Sequence, residues 1–240
     1  MFLLRCMAAG LAVLLAVSLA QAQYGDIGDF KVANAKDKED VKSASPPDGA
    51  IVLFDGKSVD GWTKKDGKPV DAHLVDGAAM QMKGGDIISK QSFDGAFQLH
   101  VEFRVPYEPK KGGQARGNSG VYVQGRYEVQ ILDSYGLKSK STDCGGIYEV
   151  AAPSVNACKA PTVWQSYDIH FTAPKFTDGK KVEPATMTVF HNGTKIHDNV
   201  KIPVDNTRAG MGGDPSKPGP ILLQDHGDPV QFRNVWLVKK

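Results

Sequence analysis

From Phe97 to Val105 apolar and polar residues alternate without a break. Phe97, Leu99, Val101, Phe103 and Val105 fall on one side, and Gln98, His100, Glu102 and Arg104 on the other, because successive side chains of a strand point to opposite faces. A helix would scatter the five apolar residues around its circumference. The segment therefore reads as a β-strand with one face in a core. The same period governs Gly117 to Asp133, GNSGVYVQGRYEVQILD. Val121 to Gln124 alternates, Gly125-Arg126 stands where a tight turn belongs, and the pattern resumes at Tyr127, which predicts a β-hairpin. In its second strand Tyr127, Val129 and Ile131 share an apolar face, while Glu128 and Gln130 share the other.

Turn residues punctuate the rest of the chain at short intervals. Asp76-Gly77, Gly84-Gly85 and Asp94-Gly95 separate strand candidates. Tyr167, Ile169 and Phe171 alternate with Asp168 and His170. Met187 to Ile196 forms a second hairpin around Asn192-Gly193, and a Gly/Pro-rich loop, Gly210 to Pro220, delivers the last strands, Ile221–Gln224 and Val230–Val238. No helix longer than a turn or two is predicted. Many short strands in one chain of this length predict an all-β fold: a two-sheet antiparallel sandwich over residues 51–240.

The first fifty residues do not share this pattern. Met1 to Ala22 has Arg5, an apolar run from Met7 to Ala20 and a small-x-small end at Ala20-Gln21-Ala22, which reads as a cleaved signal peptide, with an uncleaved anchor as the alternative. The run is short for a bilayer span, which needs about 20 apolar residues. No later stretch replaces it, so no transmembrane segment is expected after cleavage. Residues 23–50 are charged, contain Pro46-Pro47, and read as a flexible tail or linker. Twenty-nine basic against 27 acidic residues give a net charge of +2, which offers nothing to a nucleic acid or an anionic membrane surface. Export leaves Cys144 and Cys158 in an oxidising compartment, where a disulfide between them is expected. Closing that loop stabilises by about 3 kcal/mol in the chain-entropy model. No CxxC and no neighbouring histidine marks a metal site there.

Polar side chains project opposite the core faces: His100, Glu102 and Arg104; Glu128 and Gln130; Gln224 and His226; Gln231 and Arg233. Brought onto one sheet they would line a groove of acid, amide and guanidinium groups suited to polyhydroxylated ligands. Glu128-x-Gln130-x-x-Asp133 has the offsets of the ExDxxE motif of retaining sandwich-fold glucanases, whose two carboxyls stand about 5–5.5 Å apart. Here Gln replaces the middle acid, Asp the last one, and a regular strand turns Glu128 and Asp133 to opposite faces. These departures argue against ordinary retaining hydrolysis.

Several motifs together resemble the 3-keto-disaccharide hydrolase domains, also described as 3-keto-glucoside 1,2-lyase or 3-keto-2-hydroxyglucal hydratase domains. They are LFDGKSVDGW (Leu53–Trp62), GNSGVYVQ (Gly117–Gln124), YEVQILD (Tyr127–Asp133), DCGGIYE (Asp143–Glu149), the stretch ending at Cys158, WQSYDI (Trp164–Ile169) and LLQDHGDPVQFRNVWL (Leu222–Leu237). The resemblance implies a concanavalin A-like jelly roll, a carbohydrate ligand, and a periplasmic or extracellular bacterial enzyme. In that chemistry a ketone at C3 acidifies the C2 proton, so the glycosidic bond breaks by elimination or hydration rather than by displacement. A base at C2, a donor or cation at the C3 oxygen and an acid for the leaving oxygen are needed. The expected set is Glu128 or His226 as base and Arg233, with His226 or a metal, at the enolate. Asp133 is a second carboxylate; Asn118, Gln130, Gln224, Glu102, Arg104 and Tyr148 are expected to contact the sugar. A divalent cation, structural or catalytic, is left open, since no ligand spacing demands one. Two other readings stand beside this: a non-catalytic, lectin-like carbohydrate-binding module, and a glycosidase acting on unoxidised glycans.

Overall fold

The computed structural model describes residues 27, 30–70, 73–75 and 78–240; the expected signal peptide lies outside them. Fifteen strands follow one another among the described residues: β1 (Ile51–Phe54), β2 (Trp62–Lys64), β3 (His73–Val75), β4 (Ala79–Gln81), β5 (Ile87–Phe93), β6 (Ala96–Arg104), β7 (Ser119–Val123), β8 (Tyr127–Ile131), β9 (Gln165–Thr172), β10 (Lys175–Thr177), β11 (Lys180–Glu183), β12 (Ala185–His191), β13 (Thr194–Ile202), β14 (Gly219–Leu223) and β15 (Gln231–Lys239). Short 3-10 turns at Ala35–Lys38 and Gly113–Ala115 are the only helical segments among those residues.

The larger sheet has the order β13-β12-β9-β6-β15-β4-β3, with β1 also paired to β15; the smaller runs β2-β5-β14-β7-β8, and β10 and β11 pair only with each other as a two-stranded ribbon. The neighbours in both are antiparallel. The strand period fixes which faces meet. Phe97, Leu99, Val101, Phe103 and Val105 of β6 and its extension join Val121, Val123, Tyr127, Val129 and Ile131 of β7 and β8 in one core, all essentially inaccessible. This is the expected jelly-roll sandwich, closed by burial of those two apolar faces. β15 serves two partners in succession. Before a bulge it pairs β4 through Gln231 and Phe232, and after it β1 through Val235, Trp236 and Leu237. At the bulge Asn234 takes a left-handed φ of 47°, the usual accommodation of an extra residue in one strand.

Residues 30–50 fall within the stretch whose composition reads as a flexible tail or linker. They lie as a strap against the larger sheet. Val41 N–H donates to Trp164 O (3.0 Å), Trp164 N–H to Asp40 Oδ1 (2.9 Å), and Asn234 Nδ2 to Ala44 O (2.6 Å). Tyr135 Oη donates to Asp37 Oδ2 (2.7 Å), and its ring packs with Phe30, which also meets Tyr107 edge-on. Composition marked the segment as polar. It could not show that the domain supplies partners for that polarity.

The segment after β8 returns to cover that strand's free edge. Gly145 N–H donates to Gln130 O (2.9 Å), Gln130 N–H to Gly146 O (2.9 Å) and Tyr148 N–H to Glu128 O (3.2 Å), so the edge is paired rather than open. Cys144 and Cys158 flank this loop and are both buried; the structure carries them as free cysteines, without the expected bond between them. Instead Cys144 Sγ meets Tyr167 Oη at 3.1 Å.

Candidate active site

The polar residues expected to share one groove divide between two places. On the outer face of the larger sheet Glu102 is wholly buried. Arg233 Nε donates to its Oε2 at 2.6 Å, Ser43 Oγ and Asn234 Nδ2 to its Oε1 at 2.6 and 2.8 Å. Burial alone would raise the Glu102 carboxyl. Hydrogen bonds from His100, Ser43, Asn234 and Arg233 override that and hold it at about 2. His100 stacks on Trp236 and bonds Asp168 through Nδ1 at 2.8 Å. The guanidinium groups of Arg104 and Arg233 both lie over Trp164, 4.7 and 4.2 Å from its ring centroid. The cluster is internally paired and covered by the strap through Ser43 and Ala44. Glu102 thus holds the strap to the sheet through Ser43 and Ala44, while Arg233 is paired with Glu102 and Arg104 Nε donates to Gln231 Oε1 at 2.7 Å, all away from Glu128.

The other group converges. A cleft of about 310 Å³ on the smaller sheet is lined by Asn118, Tyr122, Glu128, Gln130, Gln224 and His226, with Gln114, Tyr148, Arg208 and Ala209 completing its walls. The strand register builds its floor. Tyr122 lies between Leu222 and Glu128 in one row; in the next, Gly120 pairs with Gln130 and accepts the Gln224 N–H at 3.0 Å. Because Val121, Val123 and Val129 face the core, Tyr122, Glu128 and Gln130 must face the cleft. Tyr148 enters from the loop bound to the edge of β8. The opposite wall is pinned by Thr207, whose hydroxyl accepts from Glu128 N–H (3.1 Å) and donates to Arg126 O (2.8 Å). Arg208 Nη1 then meets Glu149 Oε1 at 3.2 Å across the two walls.

Gly120 makes room for the central carboxyl. A Cβ there would stand 2.4 Å from Glu128 Oε1. Glu128 is 2% exposed, and no cation among the described residues pairs with it. Burial pushes its carboxyl up to about 8; a hydrogen bond from Tyr122 works against this, and the charges of Asp86 and Glu149 add to it. The Tyr122 phenol is itself raised, first by burial and then by Glu128. Glu128 is thus largely protonated at neutral pH. Around it, Gln224 Nε2 donates to Tyr122 Oη (3.0 Å), and Gln130 Nε2 and Asn118 Nδ2 both donate to Gln114 Oε1 (3.1 and 3.2 Å). Asn118 Oδ1 is buried with no hydrogen-bond partner among the described residues. Such an acceptor costs free energy until something donates to it, and it lies in the cleft wall. Asn118 is fixed from behind, its N–H donating to Asp228 Oδ2 at 2.7 Å.

His226 stands exposed at the rim, on a turn held by Asp225, which accepts from Gly85 and Gly227 N–H at 2.7 and 2.9 Å. Asp133 lies outside the cleft. Its carboxylate pairs with Arg116 Nε at 3.1 Å, and burial raises it while Arg116 lowers it. The broken glucanase spacing therefore brings no second carboxylate to Glu128. Tyr122, Gln114 and Gly120 were not anticipated. Tyr122 was detectable, since the hairpin register alone sets it beside Glu128. Gln114 sits in a loop with no periodic signal.

A family model described as the 3-keto-alpha-glucoside-1,2-lyase-like domain matches residues 49–238. A solved structure from Parabacteroides distasonis, described as a "putative glycosyl hydrolase", is 36% identical, with 81% of this chain and 85% of that chain covered and a TM-score of 0.71. Two further structures with the same description from that organism are each 21% identical, with TM-scores of 0.58 and 0.55; they cover 80% of this chain and 94% and 99% of their own, and share the fold. No protein of curated function matches the chain. The chain belongs to the 3-keto-alpha-glucoside-1,2-lyase-like family.

Proposed function

We propose that this member of the 3-keto-alpha-glucoside-1,2-lyase-like family cleaves glycosides whose sugar carries a ketone at C3, and that Glu128 is the central proton-transfer group. The observation that carries the reading is a carboxyl buried in a cleft of amides and phenols without a partner cation, its pKa raised to about 8. Such a group holds a proton at neutral pH and can donate it, which a solvated glutamate cannot. Amides and phenols suit a neutral polyol, each offering donor and acceptor.

The chemistry follows from the ketone. His226 removes the C2 proton, electrons from that bond form C1=C2, and the C1–O bond breaks. Glu128 supplies the proton that the departing oxygen needs. Enolate charge on the C3 oxygen is met by donors of the walls, Tyr148 and Arg208, in place of the distant Arg233. Water adding to the resulting enone completes net hydrolysis. Asn118, Gln130 and Gln224 orient hydroxyls. The signal-like Met1–Ala22 supports export, to the periplasm or beyond, and no described helix is long and apolar enough to cross a membrane.

The test is incubation with a 3-keto-glucoside and with its unoxidised parent, each with and without chelator, following aglycone release. Release from the keto compound alone supports the reading. Release from both favours an ordinary glycosidase, and saturable binding without release a lectin-like module. Loss of release with chelator would assign a catalytic cation.

A further inference from the structure

Nothing in the spacing of the sequence connects the cysteines to a histidine, yet β12 brings one to them. One ligand atom from each of Cys144, Cys158 and His191 lies within 4.8 Å of the other two, and all three residues are buried. Among the described residues this is the one such group.

Three features prepare it for an ion. His191 Nε2 is 3.0 Å from Gln165 Oε1, an oxygen that also accepts from Lys159 N–H at 2.8 Å. An acceptor there places the ring proton on Nε2 and leaves the lone pair on Nδ1. That atom faces the cysteine loop, 3.8 Å from where a Cβ on Gly145 would stand. An outer hydrogen bond that fixes the tautomer in this way is the usual support of a metal-bound histidine. Next, Tyr167 Oη donates to Gln130 O at 2.7 Å, so its lone pairs are free to face Cys144 Sγ, 3.1 Å away. This offers a fourth donor position. Finally, Cys158 lines a surface hollow of about 430 Å³ with Asn156, Lys159 and Asn192, which gives an entry path.

We propose that Cys144, Cys158 and His191 bind a soft metal ion of the zinc class, with Tyr167 or a water completing a tetrahedral site. Two thiolates and a neutral imidazole are the donors such an ion selects, and its charge balances the two buried thiolates. The ion would tie the loop that carries Tyr148, and so one wall of the cleft, to the end of β12. The site is structural and stands independently of the reaction proposed above.

The test is titration of the reduced, chelator-stripped chain with Co²⁺ and Cd²⁺. The expected result is uptake of one equivalent with thiolate-to-metal charge-transfer absorption, reversed by Zn²⁺ for cobalt. Cys158→Ser and His191→Gln lose the absorption, and Gln165→Leu weakens binding about 10–100-fold. Since a variant can fail to fold, the unaltered protein carries a second readout: one equivalent of Zn²⁺ slows alkylation of Cys158 by iodoacetamide. No uptake by protein whose two thiols titrate as free overturns the proposal. So does a Cys144–Cys158 disulfide in protein recovered from cells, detected by peptide mass before and after reduction.

Discussion

Glu128 lies over the α-carbon of Gly120, on the neighbouring strand, in space that any other residue would fill: a Cβ at Gly120 would come within 2.4 Å of Glu128 Oε1. The glycine of Ser119-Gly120-Val121 is therefore a condition for the carboxyl's position. Gly120→Ala meets chiefly the movable end of a side chain, so the fold is expected to survive while the carboxyl is displaced. Turnover should fall about a hundredfold, the scale of a misplacement near 1 Å, with an unchanged circular dichroism spectrum. Full activity in the alanine variant would remove Glu128 from its assigned place.

The raised carboxyl also makes stability depend on pH with a definite sign. Between the unfolded value near 4.5 and the folded value near 8, the folded protein holds a proton that the unfolded chain has lost. The contribution of Glu128 is then fully present below about 4.5 and declines as pH rises to about 8, at up to about 1.4 kcal/mol per pH unit. Glu128→Gln removes this slope. Denaturant melts at intervals from pH 5 to 8 should show the variant gaining on the parent as pH rises; parallel profiles would contradict the shift.

Glu102 is expected to behave in the opposite sense. Its depressed carboxyl, at about 2, contributes stability that is present above about 4.5 and lost as pH falls toward 2. Glu102→Gln leaves Arg233 short of its partner and should cost about 3 kcal/mol at pH 7, the difference shrinking in acid. Aglycone release should be unaffected, because the cluster is on the other sheet. A loss of turnover in a folded Glu102→Gln protein would restore Glu102 and Arg233 to the site.

Asn118 presents a buried acceptor to which nothing among the described residues donates. If a sugar hydroxyl fills that role, Asn118→Leu should raise KM about tenfold, equivalent to about 1.4 kcal/mol, with little change in kcat. An unchanged KM would mean that Oδ1 faces no ligand.

The period of two in Phe97–Val105 and Tyr127–Ile131 was enough to read the sandwich, because alternation and burial are one fact seen twice. It also set Glu128 and Gln130 together, since they share a strand. It could not assign Glu102 and Arg233 to a different sheet from Glu128: each shows the same outward-facing pattern, and only strand order separates them. Nor could it see Gln114, which reaches the cleft from a loop, or His191, which meets the cysteines through the packing of β12. The strap's partners were illegible for a related reason. Lys, Asp and Ser mark solvent in composition, but Asp37, Asp40 and Ser43 each find a buried or half-buried donor or acceptor.

The central claim is that cleavage begins at the C2–H bond. The direct measurement compares single-turnover aglycone release from a 3-keto-glucoside carrying hydrogen or deuterium at C2, with the unsaturated 2-hydroxy-3-keto product monitored alongside. Abstraction of that proton requires slower release from the deuterated sugar, transient unsaturated product, and loss of both in Glu128→Gln and His226→Ala. Equal rates for the two isotopes, with release and no unsaturated product, would contradict it and point to displacement at C1.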